Sequence, residues 1–214
     1  MKLLAILVSK SKKIIQLLKK NYPNAHCALI HSNAFELLVA TILSAQCTDD
    51  RVNKVTPHLF KRWPLSEDLA QAPVEEIEDL IRSTNFYKTK AKNLKACATA
   101  LVDRHAGQVP QEMDQLTDLA GVGRKTANVV LGNAFNIFSG IVVDTHVARL
   151  SHRLDWTKKK SAQDIELDLL KKVPKKDWIL ISHLLITHGR NVCKARNPQC
   201  DSCFLFDHCP KKGV

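Results

Sequence analysis

The stretch Leu119-Ala120-Gly121-Val122-Gly123-Arg124-Lys125-Thr126-Ala127 joins two apolar-periodic segments. Leu116 and Leu119 approach it, and Ala127, Val130, Leu131 and Ala134 leave it at helical spacing. The glycines between them predict a tight interhelical hairpin, since glycine lets the backbone turn sharply and approach a ligand closely. Its amides and the free N–H groups of the following helix form an anion site suited to one phosphate of a DNA strand. Alone, Gly-x-Gly between helices is more commonly an ordinary interhelical turn. Arg124 and Lys125 weigh against that reading, because cations in a first helical turn oppose the dipole at roughly 0.3–1 kcal/mol each. A bound phosphate accounts for one cation and a reactive amine for the other. An unperturbed lysine, with a pKa near ~10.4, is neutral in only about one molecule in 2,500 at pH 7. A helix N-terminus, a neighbouring Arg124 and partial desolvation all favour the neutral, nucleophilic form.

Outward from the hairpin the pattern stays helical. Phe35, Leu38, Val39, Ile42 and Leu43 follow one stripe, and Ala91, Leu94, Ala98, Leu101 and Val102 another. Pro73 precedes Ile77, Leu80 and Ile81, with acidic residues in the early turns. Ser161 and Asp177 stand where they would cap two further helices. Leu3 to Val8 reads as the start of a helix continuing through Ile14, Ile15, Leu17 and Leu18, too short and without a cleavage site for a signal peptide. Ile141-Val142-Val143 is the one strand-like run. The 7 glycines and 8 prolines among 214 residues fall below the ~12% of average usage. These features predict an all-α protein and exclude a turn-dense β-sandwich or barrel. No apolar run approaches the ~18 residues of a membrane span. The excess of 32 Lys+Arg over 21 Asp+Glu suits a polyanionic partner.

Two further groups carry chemistry. Val143-Asp144-Thr145-His146 leads into an amphipathic helix, and Asp144 stands at its N-cap. A structural cap and a carboxylate facing the Lys125 region are both open readings of it. Of the 7 cysteines, Cys193, Cys200, Cys203 and Cys209 crowd together as Cys-x6-Cys-x2-Cys-x5-Cys. Four-cysteine zinc sites favour two Cys-x-x-Cys pairs, and only one is present. Four thiolates along one short loop suit a cubane iron–sulfur cluster, in which each iron takes one cysteine. Lys194 and Arg196 on the same loop present cations toward phosphates.

These residues together resemble the endonuclease III family of DNA repair glycosylases, within the helix–hairpin–helix superfamily. The resemblance begins at Phe35-Glu36-Leu37-Leu38-Val39-Ala40 and Leu43-Ser44-Ala45-Gln46. It runs through the hairpin and Val143-Asp144-Thr145-His146, and closes on His188-Gly189-Arg190 and the four cysteines. It implies a six-helix barrel near residues 24–137, with 1–23 and 138–214 forming a cluster domain from both termini. It implies Lys125 as nucleophile, Asp144 as catalytic carboxylate, Gln46 as the residue entering the gap left by an extruded base, and the four cysteines as ligands of a 4Fe–4S cluster. Phe86, Gly121, Gly123, Arg124, His146, Lys194 and Arg196 complete the expected DNA footprint. Three positions depart from the family: Ala120 replaces a usual Pro, Asn85 a usual Gly, and Phe86 an aliphatic residue on the wedging loop.

The activity so implied is base excision on double-stranded DNA with strand cleavage at the abasic site through a lysine Schiff base. Oxidised pyrimidines are the implied substrates, and a monomer in the cytoplasm, on the nucleoid of a bacterial-type cell, the implied setting. A monofunctional mismatch glycosylase would use an activated water and lack the hairpin lysine. Its adenine-excising relatives carry an extra C-terminal domain for which a chain ending at Val214 is too short. A non-catalytic DNA-binding protein would have no need of both Lys125 and Asp144.

Overall fold

The structure is a computed structural model that describes the backbone of residues 2–214 and the side chains from Lys10 onward. The side chains of Leu3 to Val8 lie outside the described residues. The described residues form helices and loops without strands: α1 (Lys2–Asn21), α2 (Ala34–Ser44), α3 (Asp49–Arg62), α4 (Ser66–Gln71), α5 (Val74–Ile81), α6 (Tyr87–His105), α7 (Met113–Thr117), α8 (Arg124–Phe135), α9 (Thr145–Arg153), α10 (Ala162–Lys172) and α11 (Trp178–Asn191). The chain divides into two compact units: one runs from Cys27 to Ser139, the other joins the segment up to His26 with Gly140–Val214.

In the first unit α2 is the central element. Every residue from Leu37 to Leu43 is buried, so this helix is apolar on all sides and packs against α3, α6 and α8. Leu37, Leu38 and Leu43 are fully enclosed, each contributing about 1.5–3 kcal/mol through apolar burial. Asn33 opens the helix by accepting from the Glu36 N–H at 2.9 Å, and Glu36 returns a bond to the Ser32 N–H. α7 and α8 form the hairpin pair, and α6 packs along α4 and α5.

The second unit gathers α1, α9, α10 and α11 around Ile14, Leu18, Leu150, Ile165, Leu184 and Leu185. One expectation changes here. Asp177 stands at the start of α11 but makes no side-chain cap; it is buried and takes the Lys19 ammonium at 2.5 Å. Pairing a buried carboxylate outweighs the smaller gain of a cap. The Ile141–Val143 run, too short to found a sheet, forms no strand. Its Ile141 N–H reaches a Glu166 carboxylate oxygen, and its Val142 carbonyl accepts from the Ser182 hydroxyl, so side chains replace a ladder.

Candidate functional site

The hairpin is assembled residue by residue. The Leu119 and Val122 N–H groups donate to Leu116 and Leu119 carbonyls, closing two short turns after α7. Only Gly121 has the positive φ, +78°, that requires glycine, and a Cβ there would lie 3.1 Å from the Asn93 side chain of α6. Gly123 is extended instead and forms the N-cap of α8 without any side-chain oxygen. A Cβ added at Gly123 meets nothing within 4 Å, so the space before this helix is open. Arg124 and Lys125 occupy its first turn, and both side chains are exposed. The partial desolvation expected for Lys125 is therefore absent from the free protein.

Asp144 takes the cap position at the other key helix start. One carboxylate oxygen accepts from the Val147 N–H at 2.8 Å, and the other lies 3.2 Å from His146 Nδ1. The side chain is nonetheless partly open, 21% exposed, so its cap does not bury it. His146 is tied to this carboxylate and lies close to Gly189 of α11, where a Cβ would come within 3.1 Å of the ring.

Gln46 and Phe86 are the exposed tips of two loops in the Cys27–Ser139 unit. Both backbones are left-handed, at φ +52° and +57°, a conformation that costs a non-glycine residue about 1 kcal/mol or more. Phe86 is 64% exposed, whereas Tyr87 packs against the core. Asn85 Nδ2 donates to the Gln46 carbonyl at 2.6 Å. Lys90, only 5% exposed, donates to the Leu43 carbonyl at 2.8 Å, at the last turn of α2. Burial pushes this ammonium below the usual lysine range, against a smaller opposing pull from Cys47.

The four clustered cysteines are unpaired thiols that line one cavity together with Leu150, His188 and Leu205. Several donors point at their sulfurs. Arg153 Nη1 lies 3.2 Å from Cys193 Sγ, the Leu205 N–H 3.4 Å from Cys203 Sγ and the Lys211 N–H 3.4 Å from Cys209 Sγ. His188 Nε2 lies 3.5 Å from Cys203 Sγ. Burial pushes the Cys203 and Cys209 thiols up, and the neighbouring cysteines push the same way against the backbone donors. A cationic iron–sulfur core would turn that repulsion into attraction, while the donors suit thiolate acceptors. The residues fit a cubane cluster.

Arg149 and Arg153 have no counterpart among the residues expected from sequence. They hold the loop by its carbonyls, Arg149 at Cys193 and Arg153 at Lys194 and Ala195, and Arg149 also donates to the Gly189 carbonyl of α11. Their i, i+4 spacing on α9, four cysteines downstream, was the available signal. Lys194 and Arg196 remain exposed on the outside of that loop.

Comparison with known proteins agrees with this arrangement. Residues 39–175 match the model of the HhH-GPD superfamily of base excision DNA repair proteins, and residues 193–209 the iron–sulfur binding domain of endonuclease III. Endonuclease III of Synechocystis sp. is 52% identical over 94% of this chain and 92% of its own. That of Bacillus subtilis is 47% identical over 90% and 91%. A solved structure of a trapped endonuclease III–DNA covalent intermediate superposes with a TM-score of 0.87 at 45% identity, covering 94% of this chain and 96% of its own. A thermostable thymine-DNA glycosylase shares the fold, with a TM-score of 0.81 at 22% identity over 95% and 96%.

Proposed function

Because this chain belongs to the endonuclease III family of base excision DNA repair proteins, we propose that it is a bifunctional DNA glycosylase and abasic-site lyase carrying a 4Fe–4S cluster. Its substrate is double-stranded DNA holding an oxidised pyrimidine or an abasic site, and it acts as a monomer in the cytoplasm, on the nucleoid. The observation that carries this reading is the start of α8, where Gly123 supplies no side-chain cap, the space around it is open, and Arg124 and Lys125 stand exposed in the first turn. The Cys27–Ser139 unit serves as the barrel domain and the remainder as the cluster domain.

The chemistry follows from those residues. The Gly121 and Gly123 amides, Arg124, His146, Lys194 and Arg196 engage the backbone, a sequence-independent attachment. A base leaves the stack, Gln46 fills the space it vacates, and Phe86 wedges the opposite strand. Bound DNA supplies the desolvation that the exposed Lys125 lacks alone. The Lys125 lone pair attacks C1′ as the C1′–N bond breaks, and the departing base leaves with that electron pair and takes up a proton. Asp144 stabilises the positive charge that develops on the sugar. Opening of the sugar ring gives an imine between C1′ and Nζ. That imine acidifies the C2′ proton, whose loss expels the 3′ phosphate and cuts the strand. The cluster gathers the loop that presents Lys194 and Arg196, and no reacting group belongs to it.

Sodium borohydride reduces such an imine to a stable amine. The protein should therefore crosslink to an abasic-site duplex in its presence, and excision without crosslinking would point to a water-using glycosylase. The purified protein should be yellow-brown with roughly four irons per chain. Colourless protein with stoichiometric zinc after anaerobic preparation would overturn the cluster.

A further inference from the structure

Gln46 and Phe86 belong to segments far apart in sequence, one leaving α2 and the other entering α6. Two donors from the second segment grip two carbonyls of the first: Asn85 Nδ2 holds Gln46 O at 2.6 Å, and Lys90 Nζ holds Leu43 O at 2.8 Å. The two grips differ in kind. Lys90 is buried and anchors the base of the loop, whereas Asn85 is exposed and reaches its tip. Both tips also hold left-handed backbones, which free loops would leave readily.

We infer that Asn85 is a positioning residue that ties Gln46 and Phe86 into one preformed wedge, so that both tips enter the duplex together as a base is extruded. The inference rests on the function proposed above. Phosphate contacts dominate the affinity for duplex DNA, so losing the tie leaves binding nearly intact. The extruded state requires Gln46 at a defined place, and a drifting tip must be ordered at that moment. The effect falls on the excision rate. A glycine or alanine at position 85 has no donor and leaves the tips linked only through the buried Lys90 grip.

The test compares wild type, Asn85→Ala, Gln46→Ala and the double variant in single-turnover excision, with 2-aminopurine beside the lesion to report unstacking. Asn85→Ala should slow excision about fivefold, the worth of one net hydrogen bond, and dim the 2-aminopurine response. Duplex affinity and melting temperature should stay near those of wild type. In the Gln46→Ala background, Asn85→Ala should cost clearly less than in wild type, because one of the two side chains it positions is already gone while its bond to the backbone carbonyl at 46 still holds Phe86. Asn85→Leu, close in size but uncharged and unable to donate, should resemble Asn85→Ala and serves where alanine lowers the melting temperature. Excision by Asn85→Ala at the wild-type rate, or losses that multiply in the double variant, would overturn the inference while leaving the proposed function standing. A wild-type protein that neither excises nor crosslinks would bring down both.

Discussion

At the start of α8, Gly123 supplies no side-chain oxygen and the first turn carries Arg124 and Lys125. At the start of α9, Asp144 gives one oxygen to the Val147 N–H at 2.8 Å and the other to His146. Each helix begins with the same need, N–H groups that lack partners within the helix. In α9 the protein meets that need itself, as it does with Asn33 at α2, Thr48 at α3 and Ser161 at α10. In α8 Gly123 offers no side-chain oxygen, as is also the case at the starts of α5, α6, α7 and α11, and the first turn adds positive charge where the dipole disfavours it. Stability alone would have closed both. α6 also starts without a side-chain cap beside Lys88 and Lys90, but Lys90 is buried on the Leu43 carbonyl, whereas both cations of the α8 start are exposed to an anion from outside. A capped start such as that of α9 can still hold a carboxylate ready for chemistry.

The largest effect expected from this contrast is at Lys125. Lys125→Gln keeps the open helix start but removes the amine, and should abolish both borohydride crosslinking and lesion-dependent cleavage while still binding the duplex. Undiminished crosslinking by a folded variant would place the nucleophile on another amine, such as Lys88 or the buried Lys90. Asp144→Asn comes next. Asparagine caps almost as well as aspartate, so thermal stability should hold while excision falls by roughly 10²-fold or more. Asp144→Ala should lose the same activity and a further ~0.5–2 kcal/mol of stability. Full excision by the Asn variant would make Asp144 a cap and nothing else.

Closing α8 tests the comparison from the other side. Gly123→Asp has room for its side chain, since no atom lies within 4 Å of the new Cβ. It should raise stability by a few tenths to about 1 kcal/mol through the cap and the dipole, and weaken duplex binding. A more stable protein with unchanged affinity would show that no phosphate sits there. The smallest effect concerns cations away from both helix starts. Replacing Lys194 and Arg196 together by Ala should flatten the slope of log affinity against log salt by about 1 per cation removed. An unchanged slope would take them out of the DNA footprint.

Much of this was legible in the sequence because it is local. Gly121 had to be a turn glycine, and its +78° φ is the conformation a Cβ disfavours. The crowded cysteines announced a shared ligand by spacing alone. Gln46 and Phe86 could be named from their motifs, but not their left-handed backbones or the Asn85 bond between them, which joins residues 39 positions apart.

What the sequence by itself determined were the features that depend on neighbours along the chain: the apolar stripes of the helices, the hairpin, the cap position of Asp144 and the cysteine loop. Only the tertiary structure decided where the long charged side chains end. Lys90 looks like a solvated helix residue, yet it is buried against the Leu43 carbonyl. Asp177 looks like a cap and instead pairs with Lys19, 158 positions away. Arg153 looks like one cation among several, yet it is buried and holds the cysteine loop by three carbonyls and a sulfur. The physical reason is common to all three. A helical pattern fixes the side of the helix from which a side chain leaves, but a buried charge must find its partner wherever folding brings one, and that partner comes from another element.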